Sequence, residues 1–97
     1  MPSKFLVLWK LELSRISPGT MQTILRQQDY GAQLEAAGKV TARYHIVGAH
    51  GGAWIYDVES NEELDELLAQ APVYNIASYQ VLPLAEMRAP TPIAEEE

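Results

Sequence analysis

The run from Gly48 to Leu84 constrains this chain more than any other, because it spells a strand, a helix and a second strand in unbroken succession. Trp54 to Val58 alternates apolar and polar positions and reads as the body of a strand over Ala53 to Val58. Ser60 then stands three residues before Glu63, the spacing of a capping box. The serine oxygen accepts from the Glu63 N–H, and the Glu63 carboxylate is expected to reach back to the N–H of Ser60. Glu62, Glu63, Asp65 and Glu66 gather in the first turns, where the positive end of the helix dipole favours carboxylates. Leu64, Leu67, Leu68 and Ala71 follow as one apolar stripe, and Pro72 cannot continue the helix. Tyr79 to Leu82 alternates again, a strand closed by Pro83. The helix between the two strands is long enough to cross over a sheet.

The preceding half repeats the theme. From Lys4 to Leu13, Phe5, Val7, Trp9, Leu11 and Leu13 share one face, while Leu6 and Leu8 make the other face apolar too, as in a strand covered on both sides. Ser14 to Gly19 carries turn chemistry. A helix then opens at Pro18 or Thr20, with Met21, Ile24, Leu25, Gln28, Ala32 and Leu34 to Ala37 along one side and Gly38 as its left-handed cap. Gly31 costs that helix about 1 kcal/mol relative to alanine, and marks either a close approach or a tolerated defect. Lys39 to Val47 is a strand with Val40, Ala42, Tyr44 and Ile46 on one face and Thr41, Arg43, His45 and Val47 on the other. Ala49 to Gly52 reads as a hairpin turn whose paired glycines supply positive φ. The order strand, helix, strand, strand, helix, strand predicts an α+β, ferredoxin-like subunit: a four-stranded antiparallel sheet with two helices on one face. Leu6 and Leu8 then call for apolar cover on the bare face, from a sheet-stacking homodimer or a larger homo-oligomer. Residues 1–84 make the expected domain. Residues 85–97, with two prolines and no periodicity, are expected to form a flexible tail, or one exchanged between subunits through Met87 and Ile93.

Composition removes several functions. No cysteine is present, so disulfides, thiolate metal sites and cysteine nucleophiles are excluded. A formal charge of −6, with the few Lys and Arg scattered, argues against a nucleic-acid partner. No apolar run approaches the ~20 residues of a membrane span, and Met1 to Lys4 leads into a strand without the regions of a signal peptide, so a cytoplasmic protein is expected. His45 and His50, on opposite sides of a turn, do not form a metal-ligand set. Gly51-Gly52 leads into a strand and is no phosphate loop, and no serine has an elbow context.

Gly38-Lys39, Gly48, Tyr56 to Leu64, Leu67-Leu68, Pro72 and Val81 to Leu84, with the opening Phe5-Leu6-Val7, resemble the muconolactone isomerase family. The similarity runs without gaps from about Leu34 to Leu84 and is looser before that. It implies a cofactor-free α+β subunit whose sheets pair into dimers and assemble further into rings. In that family the strand after the first helix carries Trp-Arg and then Leu-Trp-Arg, where this chain has Val40-Thr41 and Arg43-Tyr44-His45. An arginine on the first strand is replaced by Leu8, and Lys and Glu of the first helix by residues among Ile24, Gln27 and Gln28. Those basic groups are the expected anchors of a dicarboxylate-like lactone, and their replacement directs attention to a more neutral molecule.

Shifting a double bond beside a carbonyl needs a group that takes and returns a proton, and a donor for the enolate oxygen. His45 is the candidate proton carrier, since an unperturbed imidazole titrates near working pH. Arg43, two residues earlier on the same face and so roughly 6–7 Å away, or Tyr44, is the candidate orienting donor. His50, Trp54, Tyr56, Trp9, Tyr74 and Tyr79 are candidates for substrate contacts, the aromatics serving equally well as core. Asp57 and Glu12 are carboxylate candidates for the base. A cofactor-free isomerase or cyclase-like enzyme acting on a small carbonyl or lactone compound is the leading expectation. A cofactor-free monooxygenase of the same dimeric fold and a non-catalytic ligand-binding module remain open beside it.

Overall fold

In the computed structural model, which describes residues 3–87, the alternation of Phe5, Val7 and Trp9 becomes the central strand of a sheet. β1 (Ser3–Leu11), β2 (Val40–His45), β3 (Gly51–Val58) and β4 (Ala77–Leu84) lie in the order β2-β3-β1-β4, with every neighbouring pair antiparallel. Helices α1 (Thr20–Ala36) and α2 (Asn61–Ala69) supply the cover. This is the expected ferredoxin-like arrangement. Cross-strand rows sort the residues cleanly. Val40, Tyr56 and Phe5 stand side by side on the inner face, and with Val7, Trp54 and Val58 they pack against Leu34 of α1 and Leu64 and Leu68 of α2. Phe5, Val7, Tyr56 and Val58 are all at most 7% exposed, which is where apolar burial contributes most to stability.

Both helix ends follow their sequence signals, one with a change of partner. At the start of α2, Ser60 Oγ accepts from the Glu63 N–H at 3.0 Å. The Glu63 carboxylate does not reach the Ser60 N–H, however. Its Oε1 accepts instead from the Glu59 N–H at 2.8 Å, while Oε2 meets Lys39 Nζ at 2.7 Å. Ser60 is fully extended, with φ −159° and ψ 166°, and the Glu59 N–H one residue upstream is the donor that the carboxylate finds. At the end of α1, Gly38 takes φ 76°, its N–H bonds the Glu35 carbonyl and the Lys39 N–H bonds the Leu34 carbonyl. That is a Schellman closure, and it turns the chain directly into β2.

Several expected boundaries and faces move. β1 ends at Leu11, and Leu13 lies in a short 3-10 turn, 71% exposed. α1 begins at Thr20, the later of its two expected starts, with Thr20 Oγ1 accepting from the Ser17 N–H. Its buried stripe is Thr20, Gln27, Gly31 and Leu34, whereas Met21 and Leu25 are 66% and 53% exposed. Hydrophobicity alone marked the inward side only in part: Leu34 is buried and Ile24 half-buried, but Gln27 is also taken inward, where its Oε1 accepts from the Val73 N–H. β4 runs through Pro83 to Leu84, which an edge strand allows because a proline nitrogen can face away from the ladder. The hairpin turn comes earlier than expected: Gly48, with φ 80°, supplies the left-handed residue, while Gly51 and Gly52 already belong to β3. The expected tail begins beyond β4; Ile93 and the rest of residues 88–97 lie outside the described residues.

Among the described residues no helix lies on the second face of the sheet. One row across all four strands reads Ala42, Ile55, Leu6 and Leu82, and the next reads Tyr44, Ala53, Leu8 and Gln80. An apolar centre is thus flanked along β1 by Lys4 and Lys10. Among the described residues no helix is long and apolar enough to cross a membrane.

Candidate functional site

A cleft of about 570 Å³ opens on the inner face, beyond the packed core, between α1 and the adjoining ends of β1, β2 and β3. Its walls begin with a counting effect in β2. Val40 pairs with Tyr56, yet Ala42 pairs with Ile55, so Thr41 is an extra residue and the strand bulges. Val40 and Arg43 therefore share the inner face, which a regular strand would forbid. Ala42 and Tyr44 turn outward. The strict alternation expected for β2 fails at this point, although Arg43 and His45 do stand on one pleat, opposite Trp54 and Gly52 respectively.

The floor is made by glycine. Gly52 lies between Trp9 and His45 in its row, and a β-carbon there would stand 2.8 Å from Trp9 Nε1 and 3.0 Å from Trp54 Nε1. Gly51 is more constrained still, since its β-carbon would fall on the backbone carbonyl oxygen of Trp9 and 2.9 Å from Lys10 Cα. The two indoles meet edge to face at 6.1 Å, and Trp54 stacks on Tyr56 at 6.2 Å. Trp9 Nε1 is buried without a hydrogen-bond partner among the described residues.

Arg43 is the residue most firmly held. Nη1 donates to the Gln28 carbonyl at 3.1 Å, Nη2 meets Glu35 Oε1 at 2.9 Å, and the guanidinium lies 5.5 Å from the centre of the Trp54 ring. Its Nε is buried without a partner among the described residues. Gly31 makes this possible. A side chain there would strike Arg43 Nη1 and approach Trp54 Cη2 within 2.7 Å, so of the two sequence readings of Gly31 the close approach applies. Glu35 and Gln28, which line the cleft from α1 together with Ile24, supply polar contacts to the site that no sequence motif marks. The only sequence signal for Glu35 is its position one turn after Gly31 on the helix that faces Arg43.

The other candidates divide. His45, His50, Trp9 and Trp54 line the cleft, and Tyr44 reaches its rim, 62% exposed. Tyr56 is 2% exposed within the core. Tyr74 and Tyr79 pack on each other at 5.9 Å outside the cleft lining. Burial pushes the hydroxyls of Tyr56 and Tyr79 well above the usual phenol range, so both stay protonated near neutral pH. Asp57 stands on the opposite face of the sheet, one carboxylate oxygen buried without a partner among the described residues, and Glu12 pairs with Arg15 at 3.2 Å on the surface. Among the described residues no group of three His, Asp or Glu side chains could hold a metal ion.

Comparison with known proteins agrees with this architecture. The family model described as muconolactone delta-isomerase matches residues 5–89. The muconolactone delta-isomerase of Rhodococcus opacus is 32% identical over 65 residues, 67% of this chain and 70% of its own length. Muconolactone delta-isomerase 1 of Acinetobacter lwoffii is 33% identical over 72 residues, 74% of this chain and 73% of its own. A crystal structure of muconolactone isomerase superposes with a TM-score of 0.76 at 23% identity, covering 93% of this chain and 94% of that one, which speaks for the fold. With the family model spanning nearly the whole described chain, this protein belongs to the muconolactone delta-isomerase family of isomerases.

Proposed function

We propose that this protein is an isomerase acting on a lactone, and that it moves a ring double bond relative to the carbonyl by carrying one proton between two carbons. The observation that carries this reading is that Arg43 and His45 share one pleat of β2 and border a cleft walled by Trp9 and Trp54. His45 takes the proton from the ring carbon, the electron pair moves onto the lactone carbonyl oxygen as an enolate, and the same imidazolium returns the proton at the other end of the conjugated system. Arg43, locked on the Trp54 face, orients the ring, with His50 closing the cleft from the β2–β3 loop. The protein's own groups suffice for every step. The relatives named above supply the reaction class, and the cleft supplies groups able to perform it.

His45→Gln tests the mechanism. Removing a general acid–base lowers kcat by about 10²–10⁴-fold, so exchange of the substrate proton with solvent deuterium is expected to vanish while binding survives. Unchanged exchange in that variant would remove His45 from the mechanism, and oxygen uptake during turnover would replace isomerisation by oxygenation. The same reading includes a second copy of the chain stacked on the bare sheet face, over the row Ala42, Ile55, Leu6 and Leu82. A lysine at Leu8, at the centre of that face, is expected to shift the protein to monomer in sedimentation.

A further inference from the structure

We infer that the cleft selects a lactone without a free carboxylate, and that Glu35 sets this preference by occupying Arg43. The inference rests on the lactone reading above and narrows its substrate class. Among the described residues lining the cleft, Arg43 is the one with a permanent positive charge. Recognition of a carboxylate by arginine takes two adjacent N–H donors presented as a fork. Here one terminal nitrogen is given to the Gln28 carbonyl, the other to Glu35, and Nε is closed off from solvent. Each terminal nitrogen thus keeps one N–H, but the pair is already shared with a carboxylate, and Glu35 offsets the charge of Arg43. The Arg43 and Glu35 side chains are 26% and 40% exposed, so an anion that reaches the guanidinium also stands beside a carboxylate. Apart from His45, His50 and the rim residue Tyr44, the remaining side chains are apolar or aromatic, from Trp9, Trp54, Ile24 and Leu11. A ligand that keeps its own charge would have to stand beside the Glu35 carboxylate or displace it from Arg43, whereas a neutral ring meets neither penalty.

The chemistry stays consistent with a neutral cleft. When the proton leaves the ring carbon, the enolate gains one negative charge and His45 gains one positive charge, and both are lost again when the proton returns. Charge is separated only over the short distance between base and ring, where the imidazolium itself balances it. No second cation is required at any stage.

The test compares muconolactone, which bears a free carboxylate at neutral pH, with its methyl ester. Binding is read from quenching of Trp9 and Trp54 fluorescence and turnover from loss of the substrate proton. The wild-type protein is expected to favour the ester by about tenfold or more, the order set by one unit charge near a partly exposed carboxylate. Glu35→Gln, which keeps the shape and removes the charge, is expected to bring that ratio towards one. A wild-type protein that binds the free acid as tightly as the ester overturns the inference, as does an unchanged ratio in Glu35→Gln. Ester-selective binding without turnover of either compound would uphold the charge preference and sink the isomerase reading, so the two failures are distinguishable.

Discussion

Along β1 from Phe5 to Trp9, the inner face of the sheet passes from packed core to open cleft without any change of fold. At the Phe5 row the neighbours are Val40 and Tyr56, roofed by leucines from both helices, and nothing is left open. At the Trp9 row β3 offers Gly52 where a regular strand would place a side chain, and β2 offers His45. Both ends use large aromatic residues. What separates them is the side chains that are missing, Gly52 below and Gly31 in the roof. The cleft is made by subtraction, and its polar groups are then lodged in the space released.

The comparison is broken most severely at the filled end. Phe5→Ala removes a ring that is 7% exposed and is expected to cost about 3–5 kcal/mol, read as a lower urea midpoint with an unchanged slope. The two floor glycines offer a sharper test. Gly51→Ala drives a methyl group onto the backbone carbonyl of Trp9, which cannot yield without parting β1 from β3, so a loss of about 1–3 kcal/mol or more is expected. Gly52→Ala meets only indole atoms, and its effect is expected mainly in weakened ligand binding. Equal destabilisation by both would show that the glycines do not serve different ends.

The smallest effect lies at the α2 cap, far from the cleft. The Glu63 carboxyl is held below its ordinary value of 4.5, first by the hydrogen bond from the Glu59 N–H and then by Lys39. A depressed carboxyl contributes stability that is fully present above the unfolded value and is lost as pH falls through the folded one. The stability difference between the wild type and Glu63→Gln is therefore expected to be level above about pH 4.5 and to shrink below it, read from urea midpoints across that range.

Much of this scaffold could be read from local chemistry. Ser60 with Glu63, Gly38 at the end of α1, the alternation of β1 and β3 and the leucines of α2 each act over a few residues, and together they fix the order of elements. The failures share another cause. Whether Gln27 or Met21 faces inward depends on what the sheet presents beneath α1, and Gly51-Gly52 looked like a turn because only the contact with Trp9 reveals why a strand needs them. His45 and Arg43 could be named because their types suit the chemistry. Glu35 could not, since its part depends on a guanidinium that reaches it across the gap left by Gly31. Tyr44 was misplaced relative to Val40 for a reason invisible to periodicity, the extra residue at Thr41.

That extra residue has an arithmetic consequence. Were Thr41 to take a regular place in the ladder, with Val40 still anchored in the core, every following side chain of β2 would turn over together. Arg43 and His45 would be delivered to the face opposite α1, and Tyr44 would swing beneath the helix in their stead. The composition would be unchanged and the hydrogen-bonded ladder more regular, yet the reactive groups would be on the wrong side of the sheet. In this protein the parity of one short strand decides whether the cleft has any chemistry in it.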